Sequence, residues 1–310
     1  MHLMENVLFR KYLIFLSTLM LTGCVSVQNS TFQEAEAHFS KRQFLVWMLS
    51  DIQPKTTLDR NVFEAAAADV NENIGSIDMG IMAGDLLKSR SHDDDFNWLI
   101  ETRNKTNVTD WYQIAGNHDV RSGPIFYKYF PQAQYYAVKY GNLLFLFLSD
   151  QSKASRTDIS DDTFLWWKDM VESNREKIII TVSHAQLKNS GLTGSIVPSR
   201  VIHNSKRFEK VLQQEKVALW VSGHSHLPQV ISGPSTANKD LGGTFFVNVG
   251  SIDDVSLLDS ESRFFYFHDG SEVVWIRSRN HSKHLFNTDL DMKVPLGKPF
   301  SLSSGKAQIF

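Results

Sequence analysis

Residues Ile77–Asp85 read IDMGIMAGD, an apolar run that stops at a glycine followed by an acid. The same pattern recurs on both sides. Upstream, Phe44–Ser50 is apolar and ends at Asp51. Downstream, Trp111–Ala115 leads into Gly116-Asn117-His118-Asp119. Further along, Ile178–Val182 is followed by His184, and Val217–Val221 by Gly223-His224-Ser225-His226. These runs read as strands, and helix-like segments alternate with them at Val62–Val70, Phe96–Thr102, Thr163–Val171 (with Trp166 and Trp167) and near Arg207–Gln213. Tyr135–Val138 and Leu143–Leu148 flank the hairpin signal Tyr140-Gly141-Asn142. Gly243–Val249, Phe264–Phe267 and Val273–Ile276 add strands near the end. A β-α-β-α first half and a strand-rich last stretch predict one layered α/β domain over residues 43–280. Residues 281–310 are polar and carry few signals, so they stand as a C-terminal extension to which the sequence assigns no role.

Hydrophobic residues make up 42% of the 310, enough for a sizeable core. Lys and Arg total 32 against 34 Asp and Glu, a formal net charge of -2, and no basic stripe stands out. Nucleic-acid binding is therefore not expected. The single cysteine, Cys24, rules out an intrachain disulfide. Arg10 and Lys11 precede the apolar run Tyr12–Leu21, which is too short to span a bilayer but suits a secretory signal. The run ends in Leu21-Thr22-Gly23-Cys24, which resembles the lipobox of bacterial lipoproteins. That resemblance implies a signal peptide over residues 1–23, acylation of Cys24 and a polar tether over residues 24–42. The expected location is the cell envelope, lipid-anchored on the periplasmic or outer-membrane side. Val25 after the cysteine favours the outer membrane.

The residues at the strand ends are of metal-ligand type: Asp51, Asp85, Asn117, His184, His224 and His226, with Gln53 close by. Loops at strand C-termini are where α/β folds place their sites. One histidine there is most often structural. Five such loops, each with a glycine or small residue that admits close backbone approach, point to a shared centre.

In order and spacing, Asp51-Ile52-Gln53, Gly84-Asp85, Gly116-Asn117-His118-Asp119, His184 and Gly223-His224-Ser225-His226 resemble the calcineurin-like metallophosphoesterases. Asn248-Val249-Gly250-Ser251 resembles that family's closing turn. The resemblance runs from about Phe44 to Ser251 and implies a layered α/β/β/α sandwich. It also implies two divalent cations (Mn, Fe, Zn, Ni or Co) and hydrolysis of a phosphoester by metal-bound hydroxide. Two cations about 3.5–4 Å apart would neutralise the anionic oxygens and acidify a bridging water. The resemblance places Asp51, Asp85, His226 and Gln53 on one cation, and Asp85, Asn117, His184 and His224 on the other. His118 would protonate the leaving oxygen or bind its charge, and Asp119 would fix the His118 tautomer or hold the loop. Small-molecule or lipid phosphoesters are the expected substrates. The rival reading is a non-catalytic metal-binding or scaffold lipoprotein on the same fold.

Three departures narrow the group. Gly84–Arg90 lacks the Gly-Asp-x-Val-Asp-Arg-Gly run of the Ser/Thr protein phosphatases. Lys88 stands where purple acid phosphatases carry a tyrosine. Gln53 replaces the first-motif histidine and puts the strength of that cation site in question.

Overall fold

The computed structural model describes residues 43–132, 134–151, 157–232, 237–253, 259–302 and 307–310. The signal, Cys24 and the tether lie outside the described residues. Phe44–Phe310 forms one compact unit.

Two seven-stranded sheets make up its centre. In the first, β1 (Gln43–Leu49), β2 (Ile77–Ala83) and β3 (Val108–Ile114) run parallel. In the second, β4 (Tyr135–Tyr140) and β5 (Leu143–Leu148) form the hairpin. Parallel to β5 follow β6 (Ile178–Ser183) and β7 (Leu219–Ser222), and β8 (Ala237–Asn238) edges β9 (Thr244–Asn248), itself parallel to β7. The chain then returns to the first sheet with β10 (Glu261–His268) beside β1 and β11 (Val273–Asn280) antiparallel to β10.

Each central strand is buried on both faces. Phe44, Val46 and Met48 of β1 point between the sheets, where they meet Phe145 and Ile180 in one core cluster. Leu45, Trp47 and Leu49 point outward, against Phe63 and Val70 of helix α1 (Arg60–Asn73) and Phe96 of α2 (Asp93–Asn104). On the far side, Leu144 and Leu146 pack with Trp167 and Phe208. Two-faced burial makes these strands read as unbroken apolar runs. The result is a layered α/β/β/α sandwich.

The polar C-terminal stretch joins this core. Strands β12 (Leu285–Phe286) and β13 (Met292–Pro295) pair with β11, and β14 (Gln308–Ile309) pairs with β4, so both sheets gain an edge. His281 and His284 have a structural role. Asp69 of α1 is fully buried and accepts hydrogen bonds from Arg279 Nε at 2.9 Å, His281 Nδ1 at 2.7 Å and His284 Nδ1 at 2.9 Å. Burial alone would raise the Asp69 pKa. The bonds from His281, Arg279 and His284 instead pull it well below the usual carboxylate range. A depressed pKa adds stability that is present above about pH 3.9 and fades as the pH falls below it. Asp69→Asn leaves a buried guanidinium without its charge partner. It should destabilise the fold by about 3–5 kcal/mol in a denaturant titration at pH 7. An unchanged midpoint would mean that the cluster adds nothing.

Candidate metal centre

Asp51 follows β1, Asp85 follows β2, Asn117 opens helix α3 (Asn117–Arg121) after β3, His184 follows β6, and His224 and His226 follow β7. Parallel strands aim these ends the same way, so the residues converge. Asp51, Asp85, His224 and His226 adopt φ of 53°, 52°, 64° and 48°, the left-handed region that residues with a Cβ rarely occupy. Strain of this kind persists where the surrounding structure over-determines it, often at functional sites. Two glycines allow the close approach. A Cβ on Gly116 would lie 2.2 Å from Asp85 Oδ1, and one on Gly223 would lie 2.0 Å from Ser50 Oγ.

Asp85 is the hub. Its Oδ2 lies 3.1 Å from His184 Nε2, 3.0 Å from Gln53 Nε2 and 4.0 Å from His118 Nε2, while Oδ1 accepts the His118 N–H at 2.7 Å. His224 Nδ1 lies 3.1 Å from His184 Nε2. Asp85, His184 and His224 thus each offer a ligand atom within 4.8 Å of the others. Beside them, His226 Nε2 lies 3.1 Å from Asp51 Oδ1 and from Gln53 Nε2. Turning the Gln53 amide over would present its oxygen at the same place.

The second contacts of these rings suit ligands. His184 Nδ1 faces the Ala83 carbonyl at 2.9 Å and His224 Nε2 the Ser199 carbonyl at 3.0 Å. With those nitrogens donating, the lone pairs of His184 Nε2 and His224 Nδ1 turn inward, the usual arrangement for a metal-binding histidine. Asn117 Oδ1 is buried with no hydrogen-bond partner among the described residues. An orphaned buried oxygen on the residue after Gly116, whose Cα packs against Asp85, is of the kind a cation would complete. The residues therefore fit a metal.

Titration behaviour supports the same reading. Burial disfavours charge on His184, yet the Asp85 carboxylate overrides it and lifts the pKa to about 10. Burial lowers His224 to about 4, helped by His184. Asp85 stays below its ordinary value because His184 outweighs the burial that would raise it. A proton is thus favoured between Asp85 and His184, at the place a cation would take.

Asp119 does not orient His118. Its carboxylate accepts the N–H groups of Leu86 and Leu87 at 3.1 Å and Gly116 at 2.8 Å, pinning the Asp85 loop to the start of α3. Burial, with Asp85 adding to it, pushes the Asp119 pKa up to about 7. Ser89 holds His118 instead, its hydroxyl 3.1 Å from Nδ1. Sequence reasoning also missed Ser50, whose hydroxyl donates to Asp51 Oδ2 at 2.6 Å. The Asn248 turn braces the His224 loop, donating to the Gly223 carbonyl at 2.9 Å, and the Ser251 hydroxyl donates to the Asp51 carbonyl at 3.2 Å.

Solved structures share this architecture. A dimetal phosphatase from Danio rerio superposes with a TM-score of 0.63 at 11% identity, over 82% of this chain and 99% of its own. GAP50, the anchor in the inner membrane complex of Plasmodium, gives 0.58 at 12%, over 85% and 92%. Purple acid phosphatase PPD1 from yellow lupin (Lupinus luteus) seeds gives 0.57 at 13%, over 79% of this chain and 53% of its own. Identities this low establish the fold alone. No curated protein matches the chain. The sequence model of the calcineurin-like phosphoesterases matches residues 44–228, well over half of the 310. On that match the chain belongs to the calcineurin-like phosphoesterase family.

Proposed function

We propose that the protein is a metal-dependent hydrolase of phosphoesters with a dinuclear centre. The observation that carries this is the convergence of Asp85, His184 and His224 within 4.8 Å, together with the orphaned oxygen of Asn117. Asp85, Asn117, His184 and His224 would hold one cation, and Asp51, Asp85, His226 and Gln53 the other. When bound, the cations supply charge against the phosphate oxygens and acidify a water. The chain's own residues do the rest. Asp85 Oδ1 fixes the backbone of His118, and Ser89 fixes its ring. The His118 side chain keeps 35% of its surface exposed and can reach a bound ester. In the overall reaction water adds to phosphorus, the ester P–O bond breaks, and the alkoxide leaves with a proton donated by His118.

Strong chelators should abolish hydrolysis of bis(p-nitrophenyl) phosphate and p-nitrophenyl phosphate by the purified protein, and Mn should restore it. Full activity in metal-free protein would overturn the reading.

Cys24 would anchor the enzyme by a lipid on the outer side of the cytoplasmic membrane, where small-molecule or lipid phosphoesters are its substrates. Support comes from the lipobox-like stretch. Labelled fatty acid should enter the wild type and not Cys24→Ser; unmodified protein in the cytoplasm would refute export.

A further inference from the structure

Beside His118, the loop after β2 and the end of α3 flank an open, shallow cavity of about 670 Å³ lined by Ser89, Arg90, Val120, Arg121 and Gly123. Two guanidinium-bearing residues line it, and no carboxylate does among the described residues. Ser89 belongs both to this wall and to the His118 Nδ1 contact, so the cavity adjoins the metal centre. Arg121 sits three residues beyond His118 on the same short helix.

The wall is built. Ser91 N–H donates to Ser122 Oγ at 3.2 Å, and Ser91 Oγ donates to the Lys88 carbonyl at 2.7 Å, which fastens residues 88–91 to the end of α3. Lys88 itself is engaged elsewhere, donating to the Lys55 carbonyl at 2.9 Å. Arg90 holds φ at 64°, a costly conformation for a long side chain. Among the described residues Arg90 is the one arginine whose side chain has no hydrogen bond, ion pair or ring contact. Arg60, Arg103, Arg175, Arg200, Arg207, Arg263, Arg277, Arg279 and Arg121 all have a partner. Arg90 is exposed, and a guanidinium free to turn toward a ligand is suited to bidentate capture of phosphate.

We propose that this cavity seats a second phosphate carried by the leaving group, so that the preferred substrates are phosphoesters whose departing alcohol is itself phosphorylated. This rests on the hydrolase reading above. Binding energy from the distal phosphate would orient the leaving oxygen toward His118.

The probe is a matched pair, phenyl phosphate and 4-(phosphonomethyl)phenyl phosphate, each as monoester and methyl diester. The distal phosphonate is inert, so turnover is confined to the phosphate ester, and in the diester it is scored by release of the phenol. In the wild type kcat/KM should favour the phosphonate by about 10- to 100-fold, the scale of a charged hydrogen-bonded pair. Arg90→Gln should bring the ratio close to one, whatever it does to the absolute rates. A wild-type ratio near one, or an unchanged ratio in Arg90→Gln, would overturn the proposal. If metal-loaded protein hydrolyses neither compound, the hydrolase reading fails by itself. Calorimetry then decides on the cavity. Tighter binding of p-xylylenediphosphonate than benzylphosphonate, lost in Arg90→Gln, supports it; equal affinities overturn it.

Discussion

Asp85→Asn should lower kcat/KM for phosphoesters by about 10³-fold or more, with metal content falling in parallel and the fold intact. The rate estimate follows from the several kcal/mol that metal charge supplies to such reactions. Asparagine keeps the shape of the side chain and an oxygen for the His118 N–H, now 2.7 Å away. What it loses is the negative charge that lies 3.1 Å from His184 Nε2 and is buried to 1% exposure. That charge holds the His184 pKa at about 10, so the variant should shed both the proton and the cation from this position. Stability should fall modestly, because His184 loses the buried carboxylate that offsets its desolvation, while relief of the repulsion among Asp51, Asp85 and Asp119 returns part of the loss. Elemental analysis, steady-state rates and a thermal melt on one preparation would check all three claims. Retained metal with retained activity would remove Asp85 from the centre.

The order of strands and the site residues were legible in the sequence for a common reason. Strands buried on both faces read as continuous apolar runs, and the chain places its ligand-type residues just where those runs stop. Asp51, Asp85, Asn117, His184, His224 and His226 needed no contact information to be found. What stayed hidden depends on distant partners. Asp69 looks like an ordinary helix residue until Arg279, 210 positions away, folds onto it. His281 and His284 read as ordinary members of a polar stretch until the same fold turns both rings toward Asp69. β12 and β14 are two residues long, and β13 alternates buried with exposed side chains, so none of them shows an apolar run. Of the two roles open to Asp119, holding the loop is the one the structure shows; the sequence could not choose because its partners are backbone N–H groups, which no sequence pattern displays. Ser89 and Arg90 sit on a loop whose hydrophilic composition resembles any solvated turn. Their significance comes from the Ser91–Ser122 contact that presses the loop against α3.

His118→Asn should keep its bound metal yet lose about 10²–10⁴-fold in rate toward an alkyl phosphoester, the usual contribution of a positioned proton donor. The geometry separates this residue from the ligand set. Its Nε2 is 4.0 Å from Asp85 Oδ2, farther than His184 at 3.1 Å, and its Nδ1 is already taken by Ser89. Burial lowers the His118 pKa below the ordinary histidine value, and Arg121 lowers it further, while Asp85 pulls the other way. In the free protein burial thus works against the acid form, and an anionic substrate would favour it. Hydrolysis of esters with poor leaving groups should then fall as pH rises, since the acid form is the one that works. The variant should lose that limb of the profile. With p-nitrophenolate as leaving group the penalty should shrink to about tenfold or less, because a stable anion departs without a proton. Comparing alkyl and p-nitrophenyl diesters in wild type and variant gives the decisive ratio. An equal loss for both would mean that His118 stabilises the phosphate itself and donates nothing to the leaving oxygen.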